Sequence, residues 1–382
     1  MSEPQPLPPP RAAYIHVPFC RHRCGYCNFT LVAGRDGWID RYLAALEQEL
    51  SRLERAQLVE TLFFGGGTPT HLPPAQLARL LQLAQRWFPL APAGEFSVEA
   101  NPCDITPQRV ALLAEHGVTR LSLGAQSFDA AKLRLLERDH SGPDIRRAMQ
   151  LAHERFASVA LDLIFAAPSE SLAAWQRDIA QAVELAPHHI STYGLTFERG
   201  TRYWSRRQRG ELIETDDETW RDMYAYAIDR LGAAGFEHYE VSNFARPGHR
   251  CRHNETYWSG GEYFAAGPGA ARYVGGRREV NHRSVSTWMN RVLAGQSPVA
   301  ESETLSAEDR ARELLVFALR RIAGIDPREF AQDTGYTVAA LGGDALRRHL
   351  ELGTLRHAGD RLQLTREGLF VSDAIWPDFL RR

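Results

Sequence analysis

The sequence predicts an α/β protein: a partial (β/α)6 barrel of the TIM type, followed by a small C-terminal domain that is helical and winged-helix-like. Three observations carry that expectation. Short β-like runs alternate with amphipathic stretches from residue 12 to residue 244. Polar side chains collect near the C-terminal ends of several of those runs, where a barrel builds its site. At Ser306 the alternation stops and helical periodicity takes over.

Residues 1–11 include Pro4, Pro6, Pro8, Pro9 and Pro10 and predict a disordered, partly polyproline tail with no catalytic role. Strands are expected at 13–17, 60–64, 95–99, 120–123, 159–165, 189–194 and 237–241. Between them, apolar residues at helical spacing predict helices at 38–53, 74–87, 107–116, 145–156 and 172–185. Strand side chains alternate between two faces. The apolar Phe96, Val98 and Ala100 therefore separate from Ser97, Glu99 and Asn101, and Leu121 and Leu123 separate from Ser122 and Gln126. Asp162 likewise lies between Leu161 and Leu163. An open doubly wound sheet is the rival that periodicity alone leaves standing; the polar strand ends weigh for a barrel over residues 12–244.

A connecting region, 245–305, is rich in Gly, Asn, His and aromatic residues. The last domain, 306–382, reads as helices at 307–322, 327–334 and 341–352, then a hairpin over 354–364 that turns at Gly359 and Asp360.

With 382 residues and 44% hydrophobic content the chain can bury a sizeable core. Its 45 basic and 47 acidic residues leave a net charge of −2, which argues against a global attraction to nucleic acid or to an anionic membrane. There is no apolar run of spanning length, and residues 1–11 lack the charged-then-apolar pattern of a secretory signal. A soluble, cytoplasmic protein is expected. Of five cysteines, Cys103 and Cys251 stand alone, so a disulfide framework is not indicated and a reducing compartment fits.

The other three, Cys20, Cys24 and Cys27, form a Cys-x3-Cys-x2-Cys run directly after the first predicted strand. A cubane iron–sulfur cluster is normally held by four thiolates, so a loop supplying three leaves one iron open to a small molecule. Structural zinc with His16, His22 or His253 as fourth ligand is an alternative, although no second Cys-x2-Cys pair is present. A redox dithiol at Cys24 and Cys27 is another. After the second strand, Gly65, Gly66 and Gly67 precede Thr68 and Pro69; glycines there permit close backbone approach to a ligand, or simply a tight strand exit. Glu99, Gln126, Arg138 and Asp162 are weak signals singly, yet together they suit an amino acid joined to a nucleoside: Arg138 would pair with a carboxylate, and the others would accept from an ammonium and ribose hydroxyls.

The segment from Tyr14 through Cys27, followed by residues 65–69, resembles the radical S-adenosylmethionine superfamily. Within it the chain resembles the oxygen-independent coproporphyrinogen III dehydrogenase group, and most closely the heme chaperones of the HemW type. The ordered stretches at 99–102, 123–128, 161–164, 239–245 and 267–270, and His253-Asn254-x2-Tyr257-Trp258, support the resemblance across nearly all the chain after its tail. It implies a [4Fe-4S] cluster on Cys20, Cys24 and Cys27. It also implies S-adenosylmethionine on the open iron, surrounded by Tyr14, Gly66, Gly67, Thr68, Glu99, Gln126, Arg138, Asp162 and Thr196. In the superfamily, reductive cleavage of that molecule yields a 5′-deoxyadenosyl radical.

The dehydrogenases carry a further cysteine two positions after the third, where this chain has Phe29. Together with the motif at His253, this points to the heme-binding branch. The resemblance thus implies a chaperone that binds heme and passes it to apo-hemoproteins of the respiratory chain. His253 and Cys251 are the candidate iron ligands, and Tyr257 and Trp258 could pack on the porphyrin. The alternative for the motif is structural, with His253 bonding a loop and Trp258 filling the domain junction. A homodimer and peripheral membrane association through partners stay open.

Three departures from relatives stand out: residues 165–170 read Phe-Ala-Ala-Pro-Ser-Glu in place of a Gly-Leu-Pro-Gly-type turn, Glu137 replaces a common glycine, and residues 270–272 lack a frequent histidine. In the last domain Glu308, Asp309, Asp326, Asp333, Asp344 and Glu351 interrupt the basic residues, so no phosphate-binding stripe exists and no nucleic-acid partner is expected.

Overall fold

In the computed structural model, which describes residues 10–380, six parallel strands run in sequence order. They are β1 (Ala12–Val17), β2 (Val59–Gly66), β3 (Leu90–Ala100), β4 (Arg120–Gln126), β5 (Ser158–Phe165) and β6 (His189–Gly194). Each pairs in parallel with the next. Residues 1–9, which hold most of the expected tail, and 381–382 lie outside the described residues.

Parallel neighbours need crossover connections, and helices supply them. They are α1 (Ile39–Leu50), α2 (Pro74–Trp87), α3 (Pro107–Glu115), α4 (Ala130–Leu135), α5 (Gly142–His153) and α6 (Leu172–Glu184). Local sequence starts several of them: Thr106, Asp129 and Ser171 each accept a backbone N–H of the first turn. Alternation divides the strands as expected. In β1, Ala13, Ile15 and Val17 are fully buried under the helices, which leaves Tyr14 and His16 on the opposite face.

After β6 the rhythm changes. Helices α7 (Arg202–Gln208) and α8 (Asp217–Ala233) lead into β7 (Glu237–Glu240) and β8 (Asn243–Ala245). The run expected at 237–241 is thus one arm of an antiparallel hairpin: β8 pairs with β6 and with β7. Helix α9 (Arg252–Trp258) carries the His253 motif, and β9 (Phe264–Ala266) adds in parallel beside β1. The sheet order is β9-β1-β2-β3-β4-β5-β6-β8-β7, so among the described residues the barrel stays open between β9 and β7.

The connecting region continues as an antiparallel meander of β10 (Ala271–Val274), β11 (Arg277–Asn281) and β12 (Val299–Thr304), with α10 (Val285–Leu293) inserted before β12. Glu49 of α1 ties this region to the barrel. It accepts from the Asn281 amide at 2.7 Å, the Gly267 N–H at 3.0 Å and the Trp288 indole at 3.1 Å. Burial raises its carboxyl, and the donors partly offset that rise.

The C-terminal helices α11 (Ala307–Arg320), α12 (Pro327–Thr334) and α13 (Val338–Glu351) precede a hairpin of β13 (Leu355–Ala358) and β14 (Arg361–Leu364). Two further helices, α14 (Arg366–Phe370) and α15 (Ser372–Phe379), follow. This unit meets α8 and α9: Arg366 pairs with Asp229 at 2.5 Å, and the Arg320 guanidinium lies 4.5 Å from the Trp258 ring centre.

Candidate functional site

The cysteine loop leaves β1 at the C-terminal end of the sheet. A short parallel ladder, Phe19 with Val32 and Cys20 with Ala33, fixes its two ends, and Cys27 N–H donates to Cys24 O at 3.1 Å inside it. Tyr203 presses on the loop: its N–H donates to Gly25 O at 2.9 Å, and a side chain at Gly25 would lie 2.7 Å from the tyrosine ring. Cys20 Sγ lies 3.3 Å from the Thr68 hydroxyl. All three cysteines are free thiols and line one cavity of about 740 Å3. Burial pushes the Cys20 thiol up to about 12 and raises Cys27. Among the described residues, no three His, Cys, Asp or Glu side chains converge on a point that could hold a single metal ion.

The glycine run at the end of β2 packs so closely against its neighbours that a side chain at any of the three positions would meet protein. A Cβ on Gly66, whose φ is +107°, would strike the His16 ring, and one on Gly67 would lie 2.7 Å from the carbonyls of Val17 and Phe19. Gly66 N–H donates to Glu99 at 3.0 Å. Burial and the Asp162 carboxylate raise Glu99 to about 8, against that hydrogen bond. Asp162 is itself raised by burial while Ser122 donates to it at 3.0 Å.

Arg138 reaches in from the loop after α4. It donates to Gly124 O at 3.0 Å and lies 3.7 Å from Cys24 Sγ, and its buried Nε has no acceptor among the described residues. Gln126, with φ of +63°, and the exposed Thr196 also line this cavity. Of the nine side chains and glycines grouped with the nucleoside ligand, eight therefore share it; Tyr14 borders a second chamber instead. Tyr14 Oη lies 3.1 Å from His16 Nδ1, and the Tyr14 and Phe63 rings stack at 6.1 Å.

The second chamber, about 500 Å3, is lined by Tyr257 and Trp258. His253 borders neither chamber. Its Nδ1 lies 2.9 Å from the Thr61 hydroxyl and its Nε2 2.8 Å from Tyr257 Oη, so both ring nitrogens are engaged, and burial drives the imidazole down to about 3. Cys251 lines the larger cavity near Glu95 (Sγ to Oε1 3.7 Å), and burial raises its thiol. Glu95 also fixes the start of α9: it accepts the N–H of His253 at 3.2 Å and of Arg252 at 3.3 Å while pairing with Arg120 at 3.2 Å. Cys103 lies apart from both chambers, 3.5 Å from Asp139 O.

Sequence reasoning missed part of the lining. His189, Ser191 and Tyr193 of β6 face the larger cavity, as do Arg120 and Gly124 of β4. The period-two rule that singled out Ser122 and Asp162 applies equally to 189, 191 and 193, so the signal was present.

The three-thiol loop, the glycine wall and the Arg138 nitrogen that has no acceptor among the described residues sit together at the strand ends of a (β/α)6 sheet. The radical SAM superfamily sequence model matches residues 14–182, and that of the HemN C-terminal domain matches 305–371. The fold superimposes on the coproporphyrinogen III oxidase HemN of Escherichia coli, described as a radical SAM enzyme, with a TM-score of 0.86 at 23% identity, covering 97% of this chain and 90% of that one. The chain is thus a radical SAM superfamily protein. The heme chaperone HemW of Mycobacterium tuberculosis is 40% identical over 380 residues, 97% of this chain and 95% of the relative. That of Bacillus subtilis is 34% identical over 376 residues, 97% and 99% of the two chains. Within the superfamily, the chain belongs to the HemW heme-chaperone family.

Proposed function

We propose that this protein holds a [4Fe-4S] cluster on Cys20, Cys24 and Cys27, binds S-adenosylmethionine beside it, and carries heme to apo-hemoproteins of the respiratory chain. The observation that carries the reading is the convergence of three free thiols on one cavity with a buried, unpaired Arg138 nitrogen and the glycine wall. Such a donor set suits a cluster with one open iron better than a single tetrahedral ion. When bound, the cluster would supply an electron to the sulfonium.

This chain's own residues would bind and orient. Arg138 would grip the carboxylate, Glu99 and Asp162 would take up positive charge and hydroxyl donors, and Gly66 and Gly67 would admit the ligand close to the backbone. Gln126, Thr68 and Thr196 would complete the polar wall, with Tyr14 behind it. For heme, Tyr257 and Trp258 offer ring faces, and Cys251 is a thiol facing the larger cavity. His253 holds Tyr257 through its Nε2 and would reach an iron only by giving up one of its two hydrogen bonds. Residues 12–244 would act as the catalytic-type barrel, 245–305 as the heme-facing connector and 306–382 as a separate docking unit. The protein would work in the cytoplasm, reaching membrane hemoproteins through partners. Among the described residues no helix is long and apolar enough to cross a membrane.

The test is anaerobic reconstitution followed by heme titration and a coproporphyrinogen turnover assay. Saturable heme binding without turnover is expected. Formation of protoporphyrinogen with consumption of S-adenosylmethionine, and no saturable heme binding, would make the protein a dehydrogenase of porphyrin biosynthesis instead. Cys24→Ala should abolish the cubane absorption; a cubane spectrum that survives would overturn the ligand assignment.

A further inference from the structure

The smaller chamber lies between β1, the end of α9, the β10–β11 hairpin and α11, and it carries an inference that rests on the heme-binding reading and goes beyond it. Its walls are aromatic: Phe29, Tyr257, Trp258, Tyr263, Tyr273 and Phe317 all border it. Its charge is one-sided, because among the described residues three arginines line it and no acidic side chain does. Two of the three are neutralised from outside. Arg278 pairs with Glu313 at 2.5 Å and Glu303 at 2.9 Å, and Arg310 pairs with Glu313 while lying 4.3 Å from the Tyr273 ring centre. Arg283 differs. Its Nη2 donates to Asn28 O at 2.6 Å and its Nε to the Thr30 hydroxyl at 3.3 Å, and among the described residues no carboxylate pairs with it.

Two further observations point to a ligand. The buried indole N–H of Trp258 has no acceptor among the described residues. Arg283 is exposed at the wall shared by both chambers, with Phe29 beside it 63% exposed. A ligand that is flat and apolar in its body and anionic at its edge suits this chamber: its face packs on the rings inside, and its carboxylate meets the uncompensated guanidinium at the rim. We propose that this chamber seats the face of a carboxylate-bearing tetrapyrrole, with Arg283 as the anchor of one carboxylate.

The experiment titrates hemin and hemin dimethyl ester, whose carboxylates are capped, into the reconstituted full-length protein and its Arg283→Gln and Arg283→Lys variants. Wild type should bind hemin about tenfold more tightly than the diester. Arg283→Gln should lose that preference while binding the diester unchanged, and Arg283→Lys should restore part of it. The comparison of the two ligands on wild type needs no substitution and so does not depend on a variant folding. Hemin binding without preference over the diester overturns the anchor alone, as does a Gln variant that weakens both ligands equally. A variant that loses S-adenosylmethionine affinity and keeps hemin affinity assigns the cation to the larger chamber and also overturns it. If wild type binds neither porphyrin, the heme reading itself fails and this one with it.

Discussion

Replacing Glu99 by Gln isolates the electrostatics of the larger cavity. Burial and the neighbouring Asp162 hold the Glu99 carboxyl at about 8, against an ordinary value of 4.5. Between those values the unfolded chain has released a proton that the folded chain keeps. Stability should therefore be greatest below the ordinary value, fall as pH rises from 4.5 to about 8, and level off above it. Fully expressed, that displacement corresponds to on the order of 5 kcal/mol. The carboxyl borders an open cavity, however, and solvent screening should leave ~1–2 kcal/mol.

Gln keeps an acceptor for the Gly66 N–H and has no proton to lose. Glu99→Gln should nearly match wild type at about pH 5 and exceed it by ~1–2 kcal/mol at about pH 9, read from urea midpoints at unchanged slope. A cationic ligand reverses the sign: it stabilises the carboxylate, so binding near neutral pH should expel a proton. The calorimetric heat of S-adenosylmethionine binding should then vary with the ionisation enthalpy of the buffer in wild type and not in the variant. Parallel stability profiles for the two proteins across this pH range would refute the reasoning.

Three other perturbations have clear signs. Ala166, Ser169 and Glu137 adopt φ of +60°, +63° and +55°, a left-handed shape that costs a side-chain-bearing residue ~1–2 kcal/mol. At the exposed Ser169, Gly should stabilise by ~0.5–1 kcal/mol in urea denaturation after the unfolded-state entropy is subtracted; at Ala166, where the methyl is buried, the gain should vanish. Lys132 lies 2.5 Å from Glu170 and 3.2 Å from Asp178, all three nearly inaccessible, so Lys132→Met should cost ~3–5 kcal/mol in the same assay by stranding two carboxylates. Glu95→Ala removes the acceptor for the first N–H groups of α9 and the partner of Arg120; amide exchange in that helix should accelerate at least about tenfold.

Much of the barrel was legible because each strand there is short, bounded and alternating. Helices at 74–87 and 327–334 and the C-terminal hairpin follow from local pattern alone, and the structure places α2, α12 and β13–β14 there. What escaped was fixed by distant partners. Phe264–Ala266 is only three residues long, and nothing local shows that it adds to the sheet beside β1. Helix α8 escaped notice because its buried positions, Met223, Tyr224, Ala227 and Leu231, are interleaved with charged residues. The candidate site was legible at the cysteines, which are close in sequence, and at Glu99 and Asp162, which stand as polar residues between apolar neighbours in their strands. That Tyr14 and Tyr257 share a chamber apart from the cysteines depends on how α9 docks under Glu95, a long-range pairing invisible in a single sequence.

Asn28 and Phe29, which directly follow Cys27, border both chambers. A partition held in common cannot be displaced from one side alone. With a nucleoside bound on one side and a porphyrin on the other, an occupant that shifts this stretch would change affinity on the far side, and the change would be reciprocal: the factor by which the nucleoside alters porphyrin affinity would equal the factor by which porphyrin alters nucleoside affinity. Loading and cargo release would then be two readings of a single coupling free energy, carried by the wall between a thiol-lined cavity and an aromatic pocket.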